Sequence, residues 1–162
     1  MFSRNRIQVA ALGLIMCPII GLTILSGCSK NSSSGDPKKR LAEYISLSFS
    51  VKDTPDRLAL AQYLTGNAKT RLVAWSDDQF RQAFMDTKRK FLKLVIQEMK
   101  ARSATETEVT YEITYIDQSK GRDAKVTNKK MSEMTLDQGK WLIKDVHNIK
   151  ELVEYQNEMS LP

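Results

Sequence analysis

Glu108-Val109-Thr110-Tyr111-Glu112-Ile113-Thr114-Tyr115-Ile116 alternates polar and apolar residues without a break. A period of two places Val109, Tyr111, Ile113 and Tyr115 on one face of an extended strand. Glu108, Thr110, Glu112 and Thr114 fall on the other, the pattern of a strand with one buried and one wet face. Antiparallel sheets accommodate such one-sided burial, and the flanking sequence carries the turns they need. Downstream, Ser119-Lys120-Gly121-Arg122 is a hairpin turn signal. A further strand is expected over about Lys125 to Leu136, with Val126, Met134 and Leu136 in one register. Asp137-Gln138-Gly139-Lys140 turns the chain again, into a strand from Trp141 to Val146. Upstream, Phe91 to Met99 is apolar and β-favourable, although its leucines and lysines also suit a helix. The quoted stretch thus anchors an antiparallel sheet of three or four strands.

The chain before Phe91 follows a helical period instead. Asp36-Pro37 reads as an N-cap followed by proline at the first helical position. Leu41, Tyr44, Ile45 and Ser48 then share one face, with Phe49 close by. Thr54-Pro55-Asp56 repeats the cap-then-proline pattern. Leu58, Ala61, Tyr63 and Leu64 supply the apolar content of a second helix, which Gly66 is placed to stop. A short third helix is expected over Ala68 to Ala74, with Leu72 and Trp75 near its end. Ser76-Asp77-Asp78-Gln79 matches a capping box and opens a fourth helix that buries Phe80, Ala83 and Phe84. At the far end, Ile149, Leu152 and Val153 sit at helical spacing after Asn148, so a short C-terminal helix is expected. Helices first and strands after define an α+β chain, with N-terminal helices packed on a curved antiparallel sheet.

Ahead of this domain, Arg4 and Arg6 precede an apolar run from Ile7 to Leu25, and no acid occurs before Asp36. That is the general secretory signal pattern. The run exceeds the usual apolar segment of roughly 7–15 residues, so an uncleaved signal anchor is one reading. The other comes from its end, Leu25-Ser26-Gly27-Cys28, which resembles the lipobox of bacterial lipoprotein precursors. The resemblance implies that residues 1–27 are removed and that Cys28 carries a diacylglyceryl thioether and usually a third, amide-linked chain. Each buried CH₂ contributes about 0.8 kcal/mol, so two or three chains hold where one does not. On either reading the arginines stay cytoplasmic and the rest is exported. Ser29, where aspartate would favour inner-membrane retention, implies the periplasmic face of the outer membrane. The partner so implied is the bilayer of a bacterial cell envelope, through acylated Cys28, with an envelope protein or small ligand beyond it.

Removing the first 27 of 162 residues leaves 135, enough for one domain, and lowers the formal net charge from +6 to +4. Residues 28–36 form the acylated cysteine and a polar tether, and 37–162 the single domain. Cys17 leaves with the signal and lipid occupies Cys28, so no intrachain disulfide or cysteine metal site can form. Lys38-Lys39-Arg40, Lys88-Arg89-Lys90 and Lys129-Lys130 are short, scattered runs that read as solvated faces. Export argues against nucleic acid as a partner. Lys38-Lys39-Arg40 lies near the lipid and could rest on anionic headgroups, at about 1 kcal/mol per charge.

Helices, then long antiparallel strands, then Asp137-Gln138-Gly139-Lys140-Trp141-Leu142-Ile143-Lys144-Asp145-Val146 are together similar to the nuclear-transport-factor-two-like family. The resemblance covers about Pro37 to Val146. It implies a cone in which helices and a bent sheet surround a pocket. The family contains ketosteroid isomerases and dehydratases as well as non-catalytic binding modules, so fold alone does not assign a function. Tyr111, Tyr115 and Asp145 are the pocket candidates. In isomerases of this fold a tyrosine and a protonated acid stabilise an oxyanion while an aspartate moves the proton. No residue-by-residue match to that set is present.

The remaining chemistry-bearing residues have simpler readings. His147, the only histidine, sits beside Asn148 at a strand end, where surface roles are commoner than catalysis. Asp77-Asp78 complement a helix dipole. No nucleophile elbow, P-loop or dinucleotide fingerprint occurs, and neither a metal site nor a cofactor is expected. The sequence reads as an exported, lipid-anchored module for ligand binding or scaffolding. The alternative is a small isomerase, dehydratase or hydrolase that uses the pocket.

Overall fold

The computed structural model describes residues 35–120 and 124–155. The expected signal segment, Leu25-Ser26-Gly27-Cys28, the expected tether from Ser29 to Ser34, and Gly121-Arg122 of the expected hairpin turn lie outside the described residues. Four helices lead: α1 (Pro37–Ser48), α2 (Asp56–Ala61), α3 (Gly66–Ala74) and α4 (Asp77–Phe84). Four strands follow: β1 (Arg89–Ala101), β2 (Glu106–Asp117), β3 (Ala124–Asp137) and β4 (Lys140–Glu154). They pair in chain order as an antiparallel meander. The result is an α+β fold with helices before a curved sheet.

Local sequence explains where α1 and α4 begin. The Asp36 carboxylate accepts from the Lys38 amide at 2.9 Å, with proline in the first turn of α1. Ser76 and Gln79 form both bonds of the capping box, with the Gln79 amide donating to Ser76 Oγ at 3.2 Å and the Ser76 amide to Gln79 Oε1 at 2.9 Å. The start of α2 differs from expectation. Its N-cap is Pro55, without a side-chain bond, and Thr54 contributes only its carbonyl, which accepts from the Arg57 amide at 3.1 Å. Asp56 instead turns back to accept from the Lys52 and Asp53 amides, and these bonds hold its carboxyl below the usual range. Gly66 is not the stop of α2, which ends at Ala61. It opens α3 with φ +50°, and a Cβ there would lie 3.2 Å from Lys144 Cγ.

The sheet runs further than the alternation indicated. Phe91 to Met99 lies wholly in β1, so the helical reading of that segment is set aside. The expected C-terminal helix is also absent: residues 148–154 continue β4 and pair with β3 from Lys125 to Lys130. A bulge explains the misleading spacing. Lys129 pairs with Lys150 and Lys130 with Asn148, leaving Ile149 as an extra residue, 54% exposed. That insertion breaks the two-residue period and leaves Ile149, Leu152 and Val153 spaced as in a helix. Lys144 is a second extra residue of β4, and Leu92 and Gln97 are their counterparts in β1. All four bulge residues fall on the two edge strands. Bulged edges bend a sheet and resist further pairing.

One edge is also covered. The Ile143 amide donates to Tyr63 O at 2.8 Å, and the Thr65 amide donates to Ile143 O at 2.9 Å. The loop between α2 and α3 thus runs along β4 as a short parallel bridge. The core lies between the layers. Leu41, Ile45, Leu60, Leu64, Leu72 and Phe80 meet Val109, Tyr111, Ile113, Val126, Met134 and Ile143. Among the described residues no helix is long and apolar enough to cross a membrane.

Candidate functional site

The two layers do not close completely. A cavity of about 510 Å³ opens between α1, α3, α4 and the inner face of the sheet. Its apolar wall includes Phe49, Trp75 and Phe84 beside Ile45, Leu72 and Val146. The aromatic rings brace one another: Trp75 and Phe84 lie 6.0 Å apart between centroids, and Phe49 stands 5.7 Å from Tyr115. Such tilted contacts hold the wall in shape as well as burying area.

Polar groups converge on this apolar frame. Tyr111 and Tyr115 both line the cavity. The Tyr115 hydroxyl accepts from Asn128 Nδ2 at 3.0 Å, and the Tyr111 hydroxyl from Ser132 Oγ at 3.3 Å. Burial raises the pKa of both phenols and pushes Tyr44, on the opposite wall, up to about 12. All three are therefore neutral O–H groups at physiological pH.

Three cations share the lining: Arg71, Arg89 and Lys130. The Arg71 guanidinium pairs with Asp145, which also accepts from Asn67 Nδ2 at 3.3 Å and from the Val146 amide at 2.7 Å. The Val146 amide, with Arg71 and Asn67, outweighs partial burial and holds the Asp145 carboxyl below its usual range. Asp145 itself does not line the cavity. The structure therefore joins two of the three pocket candidates and leaves the third outside, clamping Arg71 from behind. Arg89 lies 5.4 Å over the Tyr115 ring, with its Nε 3.5 Å from Asp117. Burial pushes Asp117 up, yet the Ser119 hydroxyl and amide and the Arg89 charge outweigh it and lower its pKa.

Lys130 stands apart. Half-buried, it forms no hydrogen bond or ion pair among the described residues, and desolvation lowers its pKa. Its neighbour Glu151 is bound by Lys120 at 2.7 Å. No aspartate or glutamate is among the described residues that line the cavity.

Other candidates fall elsewhere. His147 contacts Glu133 at 2.9 Å on an exposed part of β4, between the lining residues Val146 and Asn148 and so on the opposite face. Asp77 pairs with Arg57 at 2.7 Å in the first turn of α4. Arg40 donates to Gln62 O at 3.0 Å and stacks 3.7 Å over Tyr63. Lys38 and Lys39 remain exposed. The described residues contain no cluster of three His, Cys, Asp or Glu able to hold a metal.

Sequence reasoning misses Asn128, Lys130 and Ser132, since Lys130 reads with Lys129 as a solvated pair. The signal that could have found them is register: from Val126, inward positions fall on 128, 130, 132 and 134. Three of these four are polar, which a filled core does not accommodate without cost.

Comparisons with known proteins add the fold and nothing chemical. No family model and no curated protein matches the chain. Among solved structures it is similar to the crystal structure of the intermembrane space region of chloroplast protein ARC6. The two share 12% identity with a TM-score of 0.50, over 70% of this chain and 96% of that one. At that identity the likeness is one of architecture.

Proposed function

We propose that this protein is an exported, lipid-anchored binding module of the bacterial envelope, held at the outer membrane by acylated Cys28, with its cavity as the ligand site. The observation that carries the reading is the cavity itself. Its 510 Å³ lies within the range of about 300–1,000 Å³ typical of small-molecule sites. Apolar walls with a few convergent donors describe binding better than a filled interaction face would. Catalysis by a tyrosine–acid set has less support, because Asp145 is engaged by Arg71, Asn67 and the Val146 amide outside the cavity. The anchor rests on the resemblance of Leu25-Ser26-Gly27-Cys28 to a lipobox.

The test is labelled-palmitate incorporation and membrane fractionation of the full chain, with native mass spectrometry of the extracted protein. Wild type should label, stay with membranes and carry a small-molecule adduct. Cys28→Ala should lose the label. Label persisting in that variant removes the lipobox reading. Membrane retention without label in either protein supports the uncleaved anchor instead.

A further inference from the structure

We propose that the cavity binds an amphipathic monoanion, an apolar or aromatic carboxylate, with Lys130 as its counter-ion and Tyr111 and Tyr115 as donors to it. The assignment rests on the binding-module reading and names its ligand class. Charge balance is the first argument. Of the three cations in the lining, Arg71 is neutralised by Asp145 and Arg89 faces Asp117, both acids outside the lining. Lys130 makes no hydrogen bond or close ion pair among the described residues; the nearby Glu151 is bound by Lys120, and its pull on Lys130 is weaker than burial and the repulsion from Arg89. One positive charge therefore remains only partly compensated at a half-buried position. Desolvating a charge without a partner is costly, and an incoming carboxylate would relieve that cost.

Donor balance is the second argument. The Tyr111 and Tyr115 oxygens already accept, from Ser132 and Asn128. Among the described residues no acceptor takes their own O–H hydrogens. Two phenol donors and an ammonium thus line one cavity that offers no carboxylate. A ligand supplying an anionic acceptor completes all three, whereas a cation or a donor-rich polyol would meet only further donors. The rest of the lining fixes the remainder of the ligand. Phe49, Trp75, Phe84 and Leu72 offer apolar and aromatic surface, so the body of the ligand is apolar. A single cation without a close partner matches a monoanion better than a phosphate dianion.

The experiment uses the full acylated chain in phosphatidylcholine nanodiscs, with empty nanodiscs as the blank. Calorimetric titrations compare octanoate with octanamide and 2-naphthoate with 2-naphthamide. Each pair keeps the apolar body and the size of the head while the amide replaces an anionic acceptor oxygen with a neutral NH2 donor, and the two pairs separate chain-like from ring-like sources. At least one carboxylate should bind about tenfold or more tightly than its amide. Lys130→Gln should erase that preference, and Lys130→Arg should restore most of it. Equal affinity for acid and amide overturns the anion assignment while leaving the binding module standing. Absence of binding by all four probes overturns both. A preference retained in folded Lys130→Gln overturns the role of Lys130. If Lys130→Gln does not fold, the wild-type acid–amide comparison and Lys130→Arg still decide.

Discussion

Asp117 shows how one residue at a strand end joins stability to the site. Its side chain is 1% exposed, accepts from the Ser119 amide at 3.1 Å and from the Ser119 hydroxyl, and faces Arg89, which in turn covers Tyr115. Its pKa is lowered in the folded protein, so its contribution is present at neutral pH. That contribution fades as pH falls from the ordinary aspartate value of about 3.9 through the depressed folded one. Asp117→Asn should therefore lower stability at pH 7 by about 1–3 kcal/mol in urea titrations. The deficit should shrink as the pH is lowered through the range in which Asp117 protonates, and a deficit that stays constant across that range would refute the linkage. Residues such as Asp117 and Lys130 are poorly legible in the sequence, since their meaning depends on which face a register assigns. Tyr111 and Tyr115 are legible because an unbroken alternation from Glu108 to Ile116 fixes their face.

At the scale of elements, legibility follows the distance over which each signal acts. The capping box of α4 needs only Ser76 and Gln79, three residues apart, and it forms as the sequence indicates. Ser76→Ala should cost about 1 kcal/mol, seen as a lowered melting temperature with the helical signal otherwise unchanged. An unchanged melting temperature would mean that Arg57, which donates to Trp75 O at 3.0 Å, fixes that corner alone. The start of α3 is the opposite case. Gly66 adopts φ +50° beside the Lys144 bulge, a contact with a residue seventy-eight positions on that no local pattern encodes. The C-terminal half of β4 misleads for a related reason. Its Ile149 bulge is defined by pairing with Lys129 and Lys130, and only the partner strand shows that the period has been interrupted rather than changed.

Across the whole molecule, the helices are attached to the sheet around Phe49 and Leu64, both of which line the cavity, and again where Arg71 and Asn67 bind Asp145. Phe49, after α1, reaches Phe91 and Tyr115 at 5.3 and 5.7 Å between ring centroids. The loop between α2 and α3 hydrogen-bonds to Ile143 on both sides of Leu64. Among the described residues no helix exceeds the 12 residues of α1, a length at which isolated helices are marginal in water. Their stability must therefore come from the sheet, and the layers should unfold together. Ile143 is the sharpest test, because its backbone bridges Tyr63 and Thr65 while its side chain is fully buried in the shared core. Ile143→Ala should destabilise by about 2–5 kcal/mol. The helical circular-dichroism signal and the tryptophan fluorescence should still be lost at one urea midpoint, lower than that of wild type. Separate midpoints, with helices melting before the sheet, would show that the bridge at Leu64 does not couple the layers. The cavity would then be a gap between two independent units instead of a site that both layers build.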